Sequence, residues 1–169
     1  HIKPKEQPDK NYEFAIEMFI QGLNIDPENV AAHQELREIS LKRKVSGGKP
    51  MGMFSKPSTN NKDDKLNMLN AEKILAYDPG NTDYMETIFQ NAHKAGFFDT
   101  VMWIGPILHK ANAENAKKPD FNKYIVLKDI YKTLASANST PPKMKSEIWR
   151  RATRACEAAV EMRPNDMEL

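Results

Sequence analysis

The segment of this chain with the clearest potential for chemistry is Ser46-Gly47-Gly48-Lys49, which combines small residues with a lysine. A nucleotide-binding loop needs the spacing Gly-x4-Gly-Lys-Ser/Thr directly after a buried strand, because its backbone amides surround the phosphates. The chain lacks that spacing, Pro50 follows Lys49, and no strand pattern precedes the segment. We therefore predict that this segment does not bind a phosphate group.

The histidines and the cysteine do not follow a metal-binding pattern. None of His33, His93 and His109 has another His or a Cys four residues away, as a helical zinc site would require. We expect His33 to be a partly buried packing residue and His93 to lie on a binding surface. Cys156 is the only cysteine, and we expect it on the packing face of the last helix as a small apolar side chain. The sequence therefore predicts a protein without catalytic residues, cofactor or metal.

Two groups of basic residues raise the possibility of nucleic-acid binding. They are Lys42-Arg43-Lys44 and the group formed by Arg150, Arg151 and Arg154. Helical repeats can bind RNA, and contacts with phosphates need lysine and arginine. The two groups lie far apart in the chain with acidic residues between them, so a solvated helix face with favourable helix-dipole contacts explains them more simply. An RNA-binding helical repeat remains the main alternative function.

The amino-acid composition is typical of a soluble folded protein. The chain has 169 residues, of which 28% are charged and 40% hydrophobic, and its net charge is +2. No apolar run approaches the roughly 20 residues that cross a bilayer, so we expect no membrane insertion. The single cysteine and the lack of a visible signal peptide favour the cytoplasm. Because the chain begins with His1 rather than Met, we expect a fragment. Because its helical pattern ends without a polar cap, we expect the parent protein to continue beyond Leu169.

Three proline-containing segments end a helical pattern in the same way. Proline cannot continue a helix, and it moves the preceding residue out of helical geometry. An Asn or Asp after the proline is a good N-cap for the next helix. Each segment therefore predicts a helix end, a tight turn and a new helix, and such a recurring unit is typical of repeat proteins that bind other proteins. The three segments are Ile25-Asp26-Pro27-Glu28-Asn29, Tyr77-Asp78-Pro79-Gly80-Asn81 and Met162-Arg163-Pro164-Asn165-Asp166.

The helices before two of these prolines share a second pattern. One helix has Ala15-x3-Phe19-x2-Gly22-x4-Pro27, and the other has Ala152-x3-Cys156-x2-Ala159-x4-Pro164. Positions i, i+4 and i+7 lie on one face of a helix. We expect the small residues at the first and third positions to let a neighbouring helix approach closely.

Together with Tyr124-x2-Leu127-x3-Tyr131, these patterns resemble the tetratricopeptide repeat (TPR) family. That repeat is a helix–turn–helix of ~34 residues with W-x2-L-G-x2-Y in its first helix and A-x3-F…P in its second. The sequence departs from the family at Lys128, where glycine is preferred, and at Tyr124, which replaces tryptophan. The resemblance covers about residues 10–166. It implies an all-α fold in which TPR-like helix hairpins stack into a superhelical solenoid.

The resulting map has one helical array with a disordered or artificially added segment at 1–9 and a flexible insertion at 46–61. The Gly105-Pro106 pair lies inside the fifth helix, where we expect a kink or broken turn but not loss of the helix. The first helix precedes three helix pairs, and the array is open at both ends, so self-association through those ends is an alternative role. The predicted helices are 10–25, 29–45, 63–77, 82–95, 97–113, 121–136 and 141–162.

The resemblance implies that the first helix of each pair lines a concave groove in which a peptide or partner protein binds. Some family members hold an acidic peptide tail there with Lys, Arg and Asn. This sequence lacks those residues at the corresponding places, and Glu38 and Glu86 would repel such a tail. We therefore expect a neutral to basic partner, although these charges can also simply solvate an exposed helix face. The predicted groove residues are Gln34, Glu35, Glu38 and Lys42, then Asp83, Glu86, Gln90 and His93, then Asn122, Ile125, Asp129 and Lys132.

The insertion contains a second candidate surface, formed by Met51, Met53 and Phe54. Large apolar side chains in a Gly- and Pro-rich loop can dock a partner, and methionine adapts to varied surfaces. They can also fold back onto the helices, or the loop can be disordered. We favour these last two possibilities because an exposed apolar cluster tends to bury itself.

Overall fold

A computed structural model describes residues 8–115 and 117–166, and within these residues the regular structure is helical and no strand is present. All seven predicted helices are present, their ends coincide with the prediction and their starts differ by at most two residues. The all-α prediction is therefore confirmed. The helices are α1 (Pro8–Ile25), α2 (Val30–Val45), α3 (Asp64–Tyr77), α4 (Thr82–Ala95), α5 (Phe98–Ala113), α6 (Phe121–Ser136) and α7 (Pro142–Met162).

Side-chain caps explain where several helices begin. The side-chain oxygen of Asn29 accepts a hydrogen bond from the Ala32 amide at 3.0 Å, and Asn81 caps the Asp83 amide at 3.1 Å. Both caps follow a Pro turn, as predicted, and they satisfy amides that have no partner within the helix. Residues 1–7 of the segment predicted to be disordered lie outside the described residues, whereas residues 8 and 9 belong to α1.

The chain divides into two compact units, with the boundary between Ile104 and Gly105 inside α5. Helix α5 continues through Pro106, so the helix is retained as predicted, while the kink stays a prediction. Unit 1 contains α1 to α4 and the first half of α5. Unit 2 contains the second half of α5 together with α6 and α7.

In unit 1 the extensive helix pairings are α1–α2, α3–α4, α1–α3 and α2–α3. The predicted pairing of α2 with α3 is present, but the hairpins of this unit are α1–α2 and α3–α4, whereas the prediction took α2 and α4 as the first helices of their pairs. The short turns at residues 26–29 and 78–81 explain the difference, because short connections make antiparallel neighbours. An ion pair of 2.8 Å between Lys73 and Glu17 also joins α3 to α1.

In unit 2 the extensive pairing is α6–α7, as predicted. Tyr124, Leu127 and Tyr131 are all buried, which confirms the predicted apolar face of α6. The buried face of α7 consists of Ile148, Ala152, Ala155 and Ala159. Cys156 lies beside this face and is half-buried, so its predicted place on the packing face was wrong.

Candidate functional site

A buried polar cluster in unit 1 is centred on His33, whose exposed fraction is 0%. Its Nδ1 lies 2.7 Å from Oε1 of Glu72 on α3, and its Nε2 lies 2.8 Å from the carbonyl oxygen of Pro27. The Thr100 hydroxyl donates a hydrogen bond to the same Pro27 carbonyl at 2.8 Å. Because a carboxylate and a carbonyl only accept hydrogen bonds, this geometry suits an imidazolium that donates from both ring nitrogens.

The electrostatic surroundings agree with that protonation state. Burial by itself lowers the pKa of His33, but the hydrogen bond and negative charge of Glu72, helped by the Pro27 carbonyl, outweigh it and raise the pKa above 6.5. The other carboxylate oxygen of Glu72 has no hydrogen-bond partner among the described residues. Glu72 also lines a cavity of about 10 Å³, which has room for about one water molecule.

The cluster fixes the start of α5 against α2 and the turn before it. The indole of Trp103 stacks on the imidazole of His33, with ring centroids 4.6 Å apart and planes 21° from parallel. The Asp99 amide donates to Oε1 of Glu28 at 3.0 Å, which satisfies an amide in the first turn of α5. One side of the Trp103 indole is therefore held by the buried imidazole of His33, while the side chain as a whole remains half-buried and partly accessible.

The accessible side of Trp103 forms one wall of an open cleft of about 390 Å³. Val30 and Gln34 line the cleft from α2, and Asp99, Met102 and Trp103 line it from α5. Three apolar side chains, one amide and one carboxylate make it suitable for an apolar side chain that has a basic or amide group beside it. The five residues contain no nucleophile with an adjacent base, so the cleft is suited to binding.

The predicted groove residues are only partly brought together. Gln34 alone lines the cleft, while Glu35, Glu38 and Lys42 are exposed elsewhere on α2. On α4, Asp83 is exposed and Glu86, Gln90 and His93 are half-buried, and burial lowers the pKa of His93. On α6, Asn122, Asp129 and Lys132 are exposed, and Ile125 is half-buried.

The predicted arrangement of α2 and α4 as adjacent walls of one groove is not seen in unit 1. Both helices pack extensively on α3, and the first helices of the two hairpins, α1 and α3, are the ones in contact. The reason is the helix pairing. In the structure α2 and α4 are the second helices of their hairpins, whereas the prediction took them as first helices. A peptide-binding role for the α2, α4 and α6 residues remains a prediction.

The 46–61 insertion is attached to the helices by defined contacts. Asn70 donates to the Ser58 carbonyl at 2.8 Å, and the Asn61 amide donates to the Asn67 side chain at 2.6 Å. Met53 and Phe54 nevertheless remain exposed. Of the two favoured possibilities, folding back onto the helices is therefore wrong for these two residues, which lie in a short 3-10 turn at Met53–Ser55. Met51 is half-buried.

The glycine-rich segment has a packing role that the sequence analysis missed. A Cβ atom on Gly48 would lie 2.6 Å from Cγ of Arg43, so only glycine allows this close approach. Arg43 is buried, and its guanidinium lies 4.5 Å from the centroid of the Tyr77 ring. The interpretation of Lys42-Arg43-Lys44 as a solvated group was therefore wrong for Arg43.

The sequence analysis also missed Glu72 as the partner of His33. A signal was present, because Glu72 lies between Leu69 and Leu75 on an otherwise apolar face of α3. A carboxylate in such a position needs a buried partner. The sequence could not identify which of the distant basic residues supplies it.

Among residues 8–115 and 117–166, no group of three His, Cys, Asp or Glu side chains could hold a metal ion. Within the same residues, no helix has the length and apolar character to cross a membrane. No family model, curated protein or solved structure matches this chain.

Proposed function

We propose that this chain is a non-catalytic protein-interaction scaffold whose cleft between α2 and α5 binds a neutral to basic peptide segment. The observation that carries the proposal is the accessible side of Trp103, which lies beside Met102, Val30 and Asp99 in a cleft of about 390 Å³. An aromatic side chain that is already fixed by stacking on one side and accessible on the other can bind a partner with little loss of side-chain entropy.

Charge supports the preference for a neutral or basic partner. Asp99 lines the cleft, and Glu28 lies beside it because its carboxylate accepts from the Asp99 amide. A lysine or arginine of the partner would find carboxylates here, whereas an acidic peptide would be repelled. Gln34 offers an amide that can both donate to and accept from a peptide backbone.

The scaffold part of the proposal rests on the helix hairpins. Three hairpins, α1–α2, α3–α4 and α6–α7, agree with the resemblance to the TPR family, and the spacing before Pro164, whose small residues Ala152 and Ala159 are buried, supports it. Membership of that family and a superhelical solenoid are parts of this proposal. A reducing location such as the cytoplasm is another part, supported by the lone Cys156.

The test is selection of peptides from a random library displayed on phage, with the whole chain as bait. We expect selected peptides to carry an aliphatic or aromatic residue next to Lys or Arg. Asp99→Lys should weaken their binding about tenfold, because it replaces an attraction by a repulsion. Asp64→Lys is the matched control, since Asp64 also lies in the first turn of a helix of unit 1 but outside the cleft.

Two outcomes would remove the cleft as the binding site. One is equal loss of affinity in Asp99→Lys and Asp64→Lys, which would indicate a general charge effect. The other is unchanged affinity in Asp99→Lys together with lost affinity in Glu38→Lys. That second result would move the site to the exposed face of α2 that the sequence predicted.

A second candidate role, self-association, is favoured by one observation on α1. Phe14, Met18 and Ile25 are exposed at positions that share one face of this helix. An exposed apolar face of this kind is typical of a protein contact. Light scattering against concentration tests it, because Phe14→Ser with Met18→Ser should abolish any dimer that the unmodified chain forms. A chain that stays monomeric at high concentration would exclude this role.

The RNA-binding alternative is less well supported. The first basic group cannot present all its charges, because Arg43 is buried against Tyr77. Phosphate contacts need accessible cations, and their loss with rising salt is the characteristic signature. Two members of the second basic group, Arg151 and Arg154, line a separate concavity in unit 2.

A further inference from the structure

Unit 2 contains a concavity that the proposed cleft does not involve. Its volume is about 380 Å³, and it lies where the second half of α5 meets α6 and α7. Helix α5 contributes a histidine and a lysine, α6 a tyrosine, and α7 two arginines and one glutamate. Together with Pro106 of α5, the lining residues are His109, Lys110, Tyr131, Glu147, Arg151 and Arg154.

The charge of this concavity is strongly positive. Three cationic side chains and one carboxylate leave two positive charges in excess when His109 is neutral. The carboxylate of Glu147 is already engaged, because Arg150 lies 2.7 Å and Arg151 3.6 Å from its oxygens. Lys110 and Arg154 have no carboxylate partner among the described residues, so their charges are available to a ligand.

The aromatic side chains shape the inner wall. Tyr131 is buried and fully packed in the core of unit 2, and the guanidinium of Arg151 lies 5.7 Å from the centroid of its ring. This contact restrains Arg151 against the wall. A guanidinium that is restrained in this way loses little freedom when it binds a ligand.

We propose that this concavity binds a phosphate monoester, whose oxygens accept hydrogen bonds from Arg151 and Arg154, with Lys110 as counter-charge and His109 as an additional donor. The charge match distinguishes this ligand from the alternatives. A phosphate monoester carries about −1.5 to −2 at neutral pH, which neutralises the excess of two, whereas a carboxylate or a phosphodiester carries only one charge. Arginine also offers the paired donors that phosphate oxygens prefer.

The proposal does not depend on the peptide cleft, since the two sites share no residue. The phosphate can belong to a small metabolite or to a phosphorylated side chain of a protein. Both sources have the same chemistry at the site. They differ only in whether flanking peptide residues add affinity.

The test is calorimetric titration of the whole chain at constant ionic strength with O-phosphoserine and with a short phosphoserine peptide. Serine and the unphosphorylated peptide serve as blanks. We expect both phosphorylated probes to bind and both blanks to fail. Equal affinity for the two probes would indicate a small-molecule ligand, and tighter binding of the peptide would indicate a phosphoprotein.

Variants locate the binding. Arg154→Gln should weaken binding about tenfold, since a charge-assisted hydrogen bond is lost. Glu147→Gln should strengthen it, because it removes the carboxylate that faces the ligand. Lys143→Gln is the charge-matched control, since Lys143 is exposed on α7 outside the concavity. Arg154 is itself exposed, so its substitution should leave the fold intact.

Three results would overturn the proposal. The first is absence of binding by both phosphorylated probes. The second is an equal loss in Arg154→Gln and Lys143→Gln, which would indicate non-specific charge attraction. The third is tighter binding of oligouridine than of either phosphoserine probe at equal salt, which would assign the surface to phosphodiesters and so to RNA.

Discussion

Each unit contains a histidine whose pKa is shifted by its environment, and the two shifts have opposite directions. His33 in unit 1 is fully buried and has a carboxylate at 2.7 Å, and its pKa is raised. His109 in unit 2 is half-buried, and its pKa is lowered by burial and by the positive charge of Arg154. The same side chain therefore holds its proton more tightly in His33 than in His109.

This difference separates a structural cluster from a binding site. The charge of His33 is matched within the fold, so its cluster holds helices together and is closed to ligands. Around His109 the positive charges exceed the negative ones, and that imbalance stays until a ligand corrects it. An unmatched charge that faces an open concavity thus points to a ligand, whereas a matched and buried charge points to stability.

The largest expected effect is the loss of stability when the buried ion pair of His33 and Glu72 is broken. Glu72→Ala should lower the free energy of unfolding by about 3–5 kcal/mol, because His33 would be left buried without its counter-charge. Denaturation by urea, followed by circular dichroism, measures the loss. The double variant His33→Leu with Glu72→Leu should recover most of the stability, since replacing both charges by apolar groups removes the penalty. A double variant as unstable as Glu72→Ala would show that the pair is not the cause.

A second effect is that the two histidines make opposite contributions to the pH dependence of stability. The raised pKa of His33 adds stability that is complete below about 6.5 and is lost as the pH rises through its folded-state pKa. The lowered pKa of His109 gives stability that is present above about 6.5 and is lost as the pH falls through its folded-state pKa.

Urea denaturation across the pH range measures the two contributions. In the double variant His33→Leu with Glu72→Leu, which leaves no unpaired buried carboxyl, the decline on the alkaline side should disappear, and in His109→Gln the decline on the acid side should diminish. If both variants changed the same side of the profile, the contrast between the two histidines would be wrong.

The smallest expected effect is a local one on His109. Arg154→Gln should raise the pKa of His109 towards 6.5 without reaching it, because burial, the larger cause, remains. Titration of the histidine ring protons by nuclear magnetic resonance measures the shift. The pKa of His33 should not change, which makes it an internal control. An unchanged pKa of His109 would mean that Arg154 does not act on it.

A phosphate monoester bound beside His109 should likewise raise its pKa, since an anion favours the imidazolium. The same resonance therefore reports occupancy of the site. Tyr124 also contacts His109, with ring centroids 5.3 Å apart, and the ionisable groups that share the concavity with it are Lys110, Tyr131, Glu147, Arg151 and Arg154.

Local patterns were sufficient to predict the helices of this chain. Proline excludes helical geometry at its own turn, and Asn29 and Asn81 supply the caps that start the next helices. These effects act within a few residues, so they can be predicted from the sequence without knowledge of any tertiary contact. The buried Tyr124, Leu127 and Tyr131 followed from helical spacing in the same way.

The spacing pattern shared by α1 and α7 was not sufficient to predict which face of each helix is buried. In α7 the small residues Ala152 and Ala159 are buried, as expected. In α1 the residue equivalent to Ala159 is Gly22, which is exposed, and no atom lies within 4 Å of the place where a Cβ would be. The buried residues of α1 are Ile16 and Leu23, one position further along the helix. Equal spacing therefore gave different packing faces.

The sequence alone determined the secondary structure of this protein, because caps, prolines and helical periodicity are interactions between near neighbours. Only the tertiary structure decided which helices pair, that Glu72 rather than another acid meets His33, and that residues on α5, α6 and α7 line one cationic concavity. Those choices depend on contacts between residues that are distant in the chain. Such contacts are selected by how whole helix faces fit together, which no single motif records.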